Sequence, residues 1–348
     1  MTKRISIIGH FGADKDILDG QTVKTRILYG QLKSSTDWKI KKADTYYKSK
    51  NPVKLMLQTL GALLTTKDVI VLLSGNGMKF YFPLLCFASR VFGTRVYHDV
   101  IGGNLADYVD RYPKFKKYLN SFKVNLVETQ KMKAQLEAQG IGNCKVLPNF
   151  KNLQPLRADQ IFEIAEEPLT FCTFSRVVKE KGIEDAIEAV ESINKKHGIV
   201  RCKLKIYGAV DEGYKERFSD VMNNCTEAVE YCGAVPYDKS VEAIKNCYAL
   251  LFPTYWNGEG FPGTVIDAFC AGLPVIASDW NCNAEIVEHK VTGYIYPGKD
   301  FSTLEEAVLA SIDQKEAFCQ MRYNCLDRAE DFTAEKCIKQ VISVIENR

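Results

Sequence analysis

Glu259 and Asp267 stand eight residues apart in the stretch PTYWNGEGFPGTVIDAFCAGLPVIASD, which runs from Pro253 to Asp279. A loop holding Gly260, Pro262 and Gly263 lies between them, followed by a short helical stretch, a stop at Gly272 and an apolar strand. Carboxylates accept hydrogen bonds from hydroxyls, and the amides of a loop and a helix N-terminus donate to phosphate oxygens. The stretch therefore suits a ligand with both hydroxyls and phosphates. Because Thr254 ends an apolar strand, the loop sits at the carboxyl edge of a sheet, where open α/β folds bind ligands. Asp267 has a second reading: Thr264-Val265-Ile266-Asp267 also fits a capping box, in which the carboxylate satisfies a backbone donor. Glu259, in a glycine-rich loop, has no helix to cap.

A second segment has matching chemistry. Ser175-Arg176-Val177-Val178-Lys179-Glu180-Lys181-Gly182 follows the apolar run Leu169–Phe174. Arg176 and Lys181 are then placed at another carboxyl edge. A guanidinium fork and a compact ammonium together suit a diphosphate. The bland alternative is a solvated charge run, of which Lys179 and Glu180 have the look.

In the first half, Ile5-Ser6-Ile7-Ile8-Gly9-His10-Phe11-Gly12 reads as a strand entering a loop that reaches Asp19-Gly20-Gln21-Thr22. Gly20 permits close backbone approach, and Gln21 and Thr22 supply donors. Asp14 and Asp16 have the spacing of a metal-binding pair, but with no supporting ligand they read as solvated. His98 ends a strand beside Gly102-Gly103 and is either a structural histidine or a ligand contact. The segment from Arg111 to Lys123, RYPKFKKYLNSFK, interleaves cations with aromatics. It reads either as a segment lying on an anionic membrane or as an ordinary amphipathic surface helix. No nucleic-acid-binding motif accompanies it.

These groups need a scaffold. At 348 residues the chain is long enough for two cores, and its 46% hydrophobic and 26% charged content is that of a globular protein. Six β-branched apolar runs occur in each half, mostly alternating with helix-period segments such as Ile183, Ile187, Val190 and Ile193. Alternating strand and helix predicts α/β architecture: two Rossmann-like domains with parallel sheets facing an interdomain cleft. The expected division is residues 1–155, residues 156–332 and a terminal helix over 333–348 that packs back toward the first domain. Residues 1–150 hold 24 Lys+Arg against 11 Asp+Glu, and the remainder holds 22 against 32. The basic first half therefore faces something anionic, or faces the acidic second half.

Several classes are disfavoured. Twelve cysteines without a CxxC pair read as buried thiols of a cytoplasmic protein. Four histidines make a metal cluster improbable. The N-terminus reads as a first strand rather than a signal peptide. The apolar stretch 69–92 is too interrupted to span a bilayer. Gly9-His10-Phe11-Gly12 lacks the dinucleotide fingerprint of a dehydrogenase.

Together these motifs resemble a retaining glycosyltransferase of family 4, group 1, with the two-domain GT-B fold, of the type found in bacterial polysaccharide synthesis. The resemblance covers nearly the whole chain. Its residues are Ser175-Arg176 with Lys181-Gly182, Pro148-Asn149-Phe150, Tyr207-Gly208, Cys232-Gly233, and the segment from Glu259 to Asp279 with Glu285 beyond it. The family's Glu-x7-Glu signature is Glu259-x7-Asp267 here, one methylene shorter at its second carboxylate.

The resemblance implies roles. Glu259 contacts hydroxyls of the donor sugar, Arg176 and Lys181 hold the diphosphate, and backbone amides from Phe261 through Val265 hold sugar and phosphate oxygens, with Gly260, Pro262, Gly263 and Thr264 in the same donor-binding loop. Asp267 contacts the ribose, and the base rests against Gly208 and the loop holding Val235. Gly20 and Gln21 close on the donor phosphate, and His98 lies near the donor sugar. The implied reaction moves a hexose or N-acetylhexosamine from a nucleoside-diphosphate sugar, UDP-linked by preference, to a glycan or lipid-linked saccharide. It proceeds with retention, without metal or other cofactor, in the cytoplasm or at the inner face of the plasma membrane. The competing readings are a nucleotide-sugar epimerase on the same fold and a non-catalytic protein that binds anions or membranes.

Overall fold

The computed structural model describes residues 2–15, 19–161, 166–298 and 301–347. Each of the twelve apolar runs forms a strand, and the chain divides into two compact units, Met1–Asn152 with Thr333–Arg348, and Leu153–Phe332.

In the first unit, β1 (Arg4–Gly9), β2 (Lys39–Asp44), β3 (Asp68–Val71), β4 (Arg95–Asp99), β5 (Val124–Val127) and β6 (Cys144–Val146) form one parallel sheet in the order β2-β1-β3-β4-β5-β6. Its helices are α1 (Gly20–Ser35), α2 (Pro52–Thr65), α3 (Gly75–Phe92), α4 (Leu105–Arg111), α5 (Lys114–Leu119) and α6 (Gln130–Ala138). In the second unit, β7 (Leu169–Phe174), β8 (Cys202–Tyr207), β9 (Val229–Gly233), β10 (Ala249–Phe252), β11 (Val275–Ser278) and β12 (Gly293–Tyr296) form a parallel sheet in the order β12-β11-β10-β7-β8-β9. Helices α7 (Ile183–His197), α8 (Lys215–Asn223), α9 (Ser240–Ile244), α10 (Gly263–Cys270), α11 (Asn283–Ile286), α12 (Phe301–Asp313) and α13 (Lys315–Ala329) belong to it, and α14 (Ala334–Glu346) belongs to the first unit.

Both sheets reverse their strand order at the first strand, β1 or β7. The switch points therefore lie between β1 and β3 and between β7 and β10, the place in open α/β sheets where ligands bind at the carboxyl edge.

Both faces of each sheet are covered, which is why the strands read as continuous apolar runs. In the first unit, Ile8, Val69 and Val71 pack against Leu63 of α2, Phe82 and Leu85 of α3 and Phe115 of α5. Ile5, Ile7 and Ile70 turn the other way, toward Leu28 of α1 and Ile338 and Val341 of α14. Helix α14 is tied in by Ala334 N donating to Lys151 O and by Lys3 Nζ donating to Ile345 O at 2.8 Å. In the second unit, α7 buries Ile183, Ile187, Val190 and Ile193 at the predicted spacing. Glu184 and Asp185 begin α7, and Lys195 and Lys196 end it, each complementing the helix dipole.

The segment 111–123 is not a continuous membrane-lying helix. Pro113 separates α4 from α5, and Phe115, Leu119 and Phe122 are at most 4% exposed within the first unit's core. Its cations face outward while its main apolar anchors face inward, so those rings are not available to a bilayer. All twelve cysteines are free. No described helix is long and apolar enough to cross a membrane.

Candidate functional site

Strands β7 and β10 are neighbours, with Ala249 opposite Phe171 and Leu250 opposite Cys172. The segments that follow them therefore emerge side by side. After β7 the chain passes Ser175 and Arg176, makes a 3-10 turn over Lys179–Lys181, and enters α7 through Gly182 at φ +68°. A Cβ on Gly182 would lie 2.2 Å from Pro253 O, so the missing side chain lets this turn close on the end of β10. Tyr255 N donates to Glu180 O at 2.8 Å and fastens the two loops.

Lys181 Nζ then meets Glu259 Oε2 at 2.5 Å, and Thr254 Oγ1 donates to the same oxygen at 3.1 Å. The lysine and glutamate side chains are 14% and 10% exposed, so the pair is shielded yet reachable. Glu259 sits in a braced loop. Its N–H donates to Trp256 O, its carbonyl accepts from Asn281 Nδ2, and Trp280 Nε1 also donates to Trp256 O. The Arg176 guanidinium lies 5.3 Å from the Trp256 ring centroid and 3.8 Å from Asp211 Oδ2, and its side chain is half exposed. Arg176, Lys181 and Glu259 thus share one sheet edge: two cations and a carboxylate, with Trp256 beneath the arginine.

Helix α10 opens beside this group. It starts at Gly263 with Pro262 at its N-cap, a residue without a side-chain acceptor. The proposed capping box is therefore absent. Thr264 lies within the first turn and its Oγ1 has no hydrogen-bond partner. The amides of Gly263 and Thr264 have no intrahelical acceptor, as in any first turn. Val265 N, by contrast, donates to Pro262 O at 3.1 Å and is engaged within the turn. Phe261 is buried, its ring centroid 4.9 Å from that of Phe332. Asp267 is 1% exposed and accepts from Ser240 Oγ at 2.7 Å.

Gly208, beyond β8, adopts φ +144°, and a Cβ there would lie 1.7 Å from Ser175 O. This glycine lets the β8 loop nest against the β7 loop, a requirement of the fold itself. Its N–H donates to Gly233 O at 2.8 Å. Val235 is half buried in the loop after β9.

Three of the singled-out residues belong to the first unit. Gly20 is the first residue of α1, exposed, with nothing within 4 Å of a Cβ built there, so the chain's own packing does not demand glycine. Gln21 Nε2 donates to Leu72 O at 3.1 Å, which anchors the start of α1 to the end of β3. His98 corrects the expectation of a ligand contact. It is 0% exposed, its ring 5.1 Å from Phe82 and 6.0 Å from Phe122, with Nδ1 3.1 Å from Asn125 Oδ1. Burial, aided by the nearby Lys24 charge and opposed by Asn125, depresses its pKa to about 4. It is a neutral core histidine facing the α3 and α5 layer. Asp16 lies outside the described residues.

Sequence reasoning missed two networks here. Thr22 Oγ1 donates to Asp19 Oδ2 at 2.5 Å and lies 2.6 Å from His10 Nδ1. Lys24, fully buried, reaches Asp99 Oδ1 at 2.8 Å and Glu128 Oε1 at 3.0 Å. Burial opposes its charge, but the two carboxylates outweigh that and hold its pKa above the ordinary lysine value. The paired Asp19-x-x-Thr22 pattern was the available signal for the first network. Nothing local signals the second, since its members lie far apart in sequence.

Residues 157–328 match the family Glycosyl transferases group 1. The chain is 28% identical over 155 residues to the amylovoran biosynthesis glycosyltransferase AmsK of Erwinia amylovora, a match that covers 43% of this chain and 37% of AmsK. The chain thus spans well under two thirds of that relative's length. Sucrose-phosphate synthase from Thermosynechococcus elongatus has the same fold, with a TM-score of 0.76 at 16% identity over 99% of this chain and 98% of that one. Anabaena HepE, solved with UDP-glucose, gives 0.72 at 13% identity over 99% and 100% of the two chains.

Proposed function

We propose that the chain moves a hexose or N-acetylhexosamine from a nucleoside-diphosphate sugar to a glycan or lipid-linked saccharide, a reading supported by the match of residues 157–328 to the family Glycosyl transferases group 1. The observation that carries this reading is the Lys181–Glu259 pair beside the uncapped start of α10. An ammonium has three N–H donors. Lys181 can therefore hold Glu259 with one and a phosphate oxygen with another.

In this reading Arg176, Lys181 and the amides of Gly263 and Thr264 hold the diphosphate. As the bond from the anomeric carbon to phosphate oxygen breaks, negative charge grows on that oxygen, and these groups stabilise the transition state more than the ground state. They balance the leaving group's charge without a metal. Glu259 accepts hydrogen bonds from sugar hydroxyls, and Gly260 and Phe261 line the sugar. Asp267, oriented by Ser240 Oγ, is assigned to the ribose, and the base rests by Gly208 and Val235. We assign the reaction retention, with the acceptor attacking the face from which phosphate leaves and the departing phosphate taking the acceptor's proton. The UDP-glucose bound by HepE supports a uridine donor, and the name of AmsK supports cell-surface polysaccharide as the product class. In this reading the enzyme works in the cytoplasm or at the inner face of the plasma membrane.

The test is a panel of nucleoside-diphosphate sugars incubated with the full chain, with and without candidate acceptors and with chelator present. Acceptor-dependent release of nucleoside diphosphate that is lost in Glu259→Gln supports the proposal. Rapid conversion of donor alone to an isomeric sugar nucleotide points to an epimerase instead.

A further inference from the structure

Helices α2 and α3 cover the same face of the first sheet. Leu63 of α2 shares a core with Phe82 and Leu85 of α3, and Thr59 Oγ1 and Tyr81 Oη hydrogen-bond between the helices at 3.0 Å. Their outer sides are also apolar. On α2, Val53, Met56, Leu57, Leu60 and Leu64 recur at helical spacing and are 44–64% exposed. On α3, Phe80, Phe87 and Val91 are 56–67% exposed. Single exposed apolar residues are ordinary, but two adjacent helices each with a second apolar stripe opposite the core are not.

Charge narrows what can cover this face. Between Thr45 and His98 the sequence has seven Lys+Arg and one acid, Asp68. Asp68 is 2% exposed and bound to Arg95 at 2.6 Å, so it does not offset the field. Lys48, Lys50, Lys54, Lys67, Lys79 and Arg90 are exposed around the apolar stripes. Helix α5, whose Phe115 ring lies 5.0 Å from Phe82 of α3, has exposed Lys114, Lys116 and Lys117. A second copy of this chain would set two cationic faces against each other. A bilayer with anionic headgroups accepts both parts, the aliphatic and aromatic side chains at the acyl boundary and the ammonium groups at the phosphates.

We propose that the α2–α3 face docks on an anionic phospholipid bilayer. The inner aromatics of 111–123 are not part of this surface. The docking stands apart from the transferase reading, because it needs no nucleotide sugar.

The experiment is sedimentation of the full chain with phosphatidylcholine vesicles, with and without phosphatidylglycerol, at low and high salt. The variants are Leu57→Ser/Phe87→Ser and Lys50→Gln/Lys54→Gln, whose thermal midpoints should match the parent because the residues are exposed. The expected result is salt-sensitive binding to the mixed vesicles, reduced about tenfold or more in each variant. Binding by the variants equal to the parent, or no binding of the parent to mixed vesicles, overturns the proposal. So does a parent dimer that Leu57→Ser/Phe87→Ser converts to monomer, since the face then belongs to a second copy.

Discussion

Lys181 and Glu259, 78 residues apart in sequence, meet at 2.5 Å where the loops after β7 and β10 converge. Gly182 and Tyr255 bring about the meeting, the first by letting the turn close on Pro253 and the second by donating to Glu180. A buried cation and carboxylate at the switch point of a parallel sheet serve stability poorly compared with apolar packing. Their placement suits a ligand that carries phosphates and hydroxyls.

Glu259→Gln keeps an acceptor for Lys181 and Thr254 but removes the charge. Folding should be nearly unchanged, with a thermal midpoint close to the parent. Transfer should fall roughly a hundredfold, about 3 kcal/mol of transition-state stabilisation. Steady-state kinetics with a working donor and acceptor check this, and parental turnover would refute the assignment of Glu259.

His98 gives a pH signature. Its pKa in the fold is about 4, below its usual value near 6.5, so the unfolded chain binds the extra proton first as pH falls. Its contribution is present above pH 6.5 and is lost as pH drops toward 4, about 3 kcal/mol in all. Urea midpoints measured across this window should decline in the parent and decline less in His98→Gln. Parallel profiles would show that the histidine does not remain neutral in the core.

Lys24→Met should destabilise the protein by about 3–5 kcal/mol, because Asp99 and Glu128 are left buried without their shared cation. Denaturant unfolding tests this. The triple variant Lys24→Met/Asp99→Asn/Glu128→Gln should recover part of the loss, and no recovery would mean that charge is not the cause.

Gly208→Ala should cost about 3 kcal/mol or more, because the new methyl meets Ser175 O and the backbone holds φ +144°. Gly20→Ala meets nothing within 4 Å and should leave the thermal midpoint almost unchanged. An equal effect of the two on stability would contradict the packing described for the β8 loop.

The strands were legible because both faces of a parallel sheet are buried, which writes each strand as a short β-branched run. The same burial hid the direction of His98. Polar and apolar residues do not alternate along β4, so nothing local told whether the ring pointed to solvent or to Phe82 and Phe122. Arg176, Lys181 and Glu259 were legible from residue type and loop position. The capping box was not, since α10 begins at Gly263 and turns Asp267 toward Ser240. Helix α2 was obscure for a different reason: with Leu55 and Leu63 inside and Leu57 and Leu60 outside, its sequence is apolar on both sides and does not declare which faces the core.

The most direct measurement is calorimetric titration of UDP and other nucleoside diphosphates into the full chain and into Lys181→Met. The account predicts saturable one-site binding of at least one of them, weakened about a hundredfold by the substitution. Equal affinity in the two proteins, or no nucleoside diphosphate bound by the parent, would contradict it.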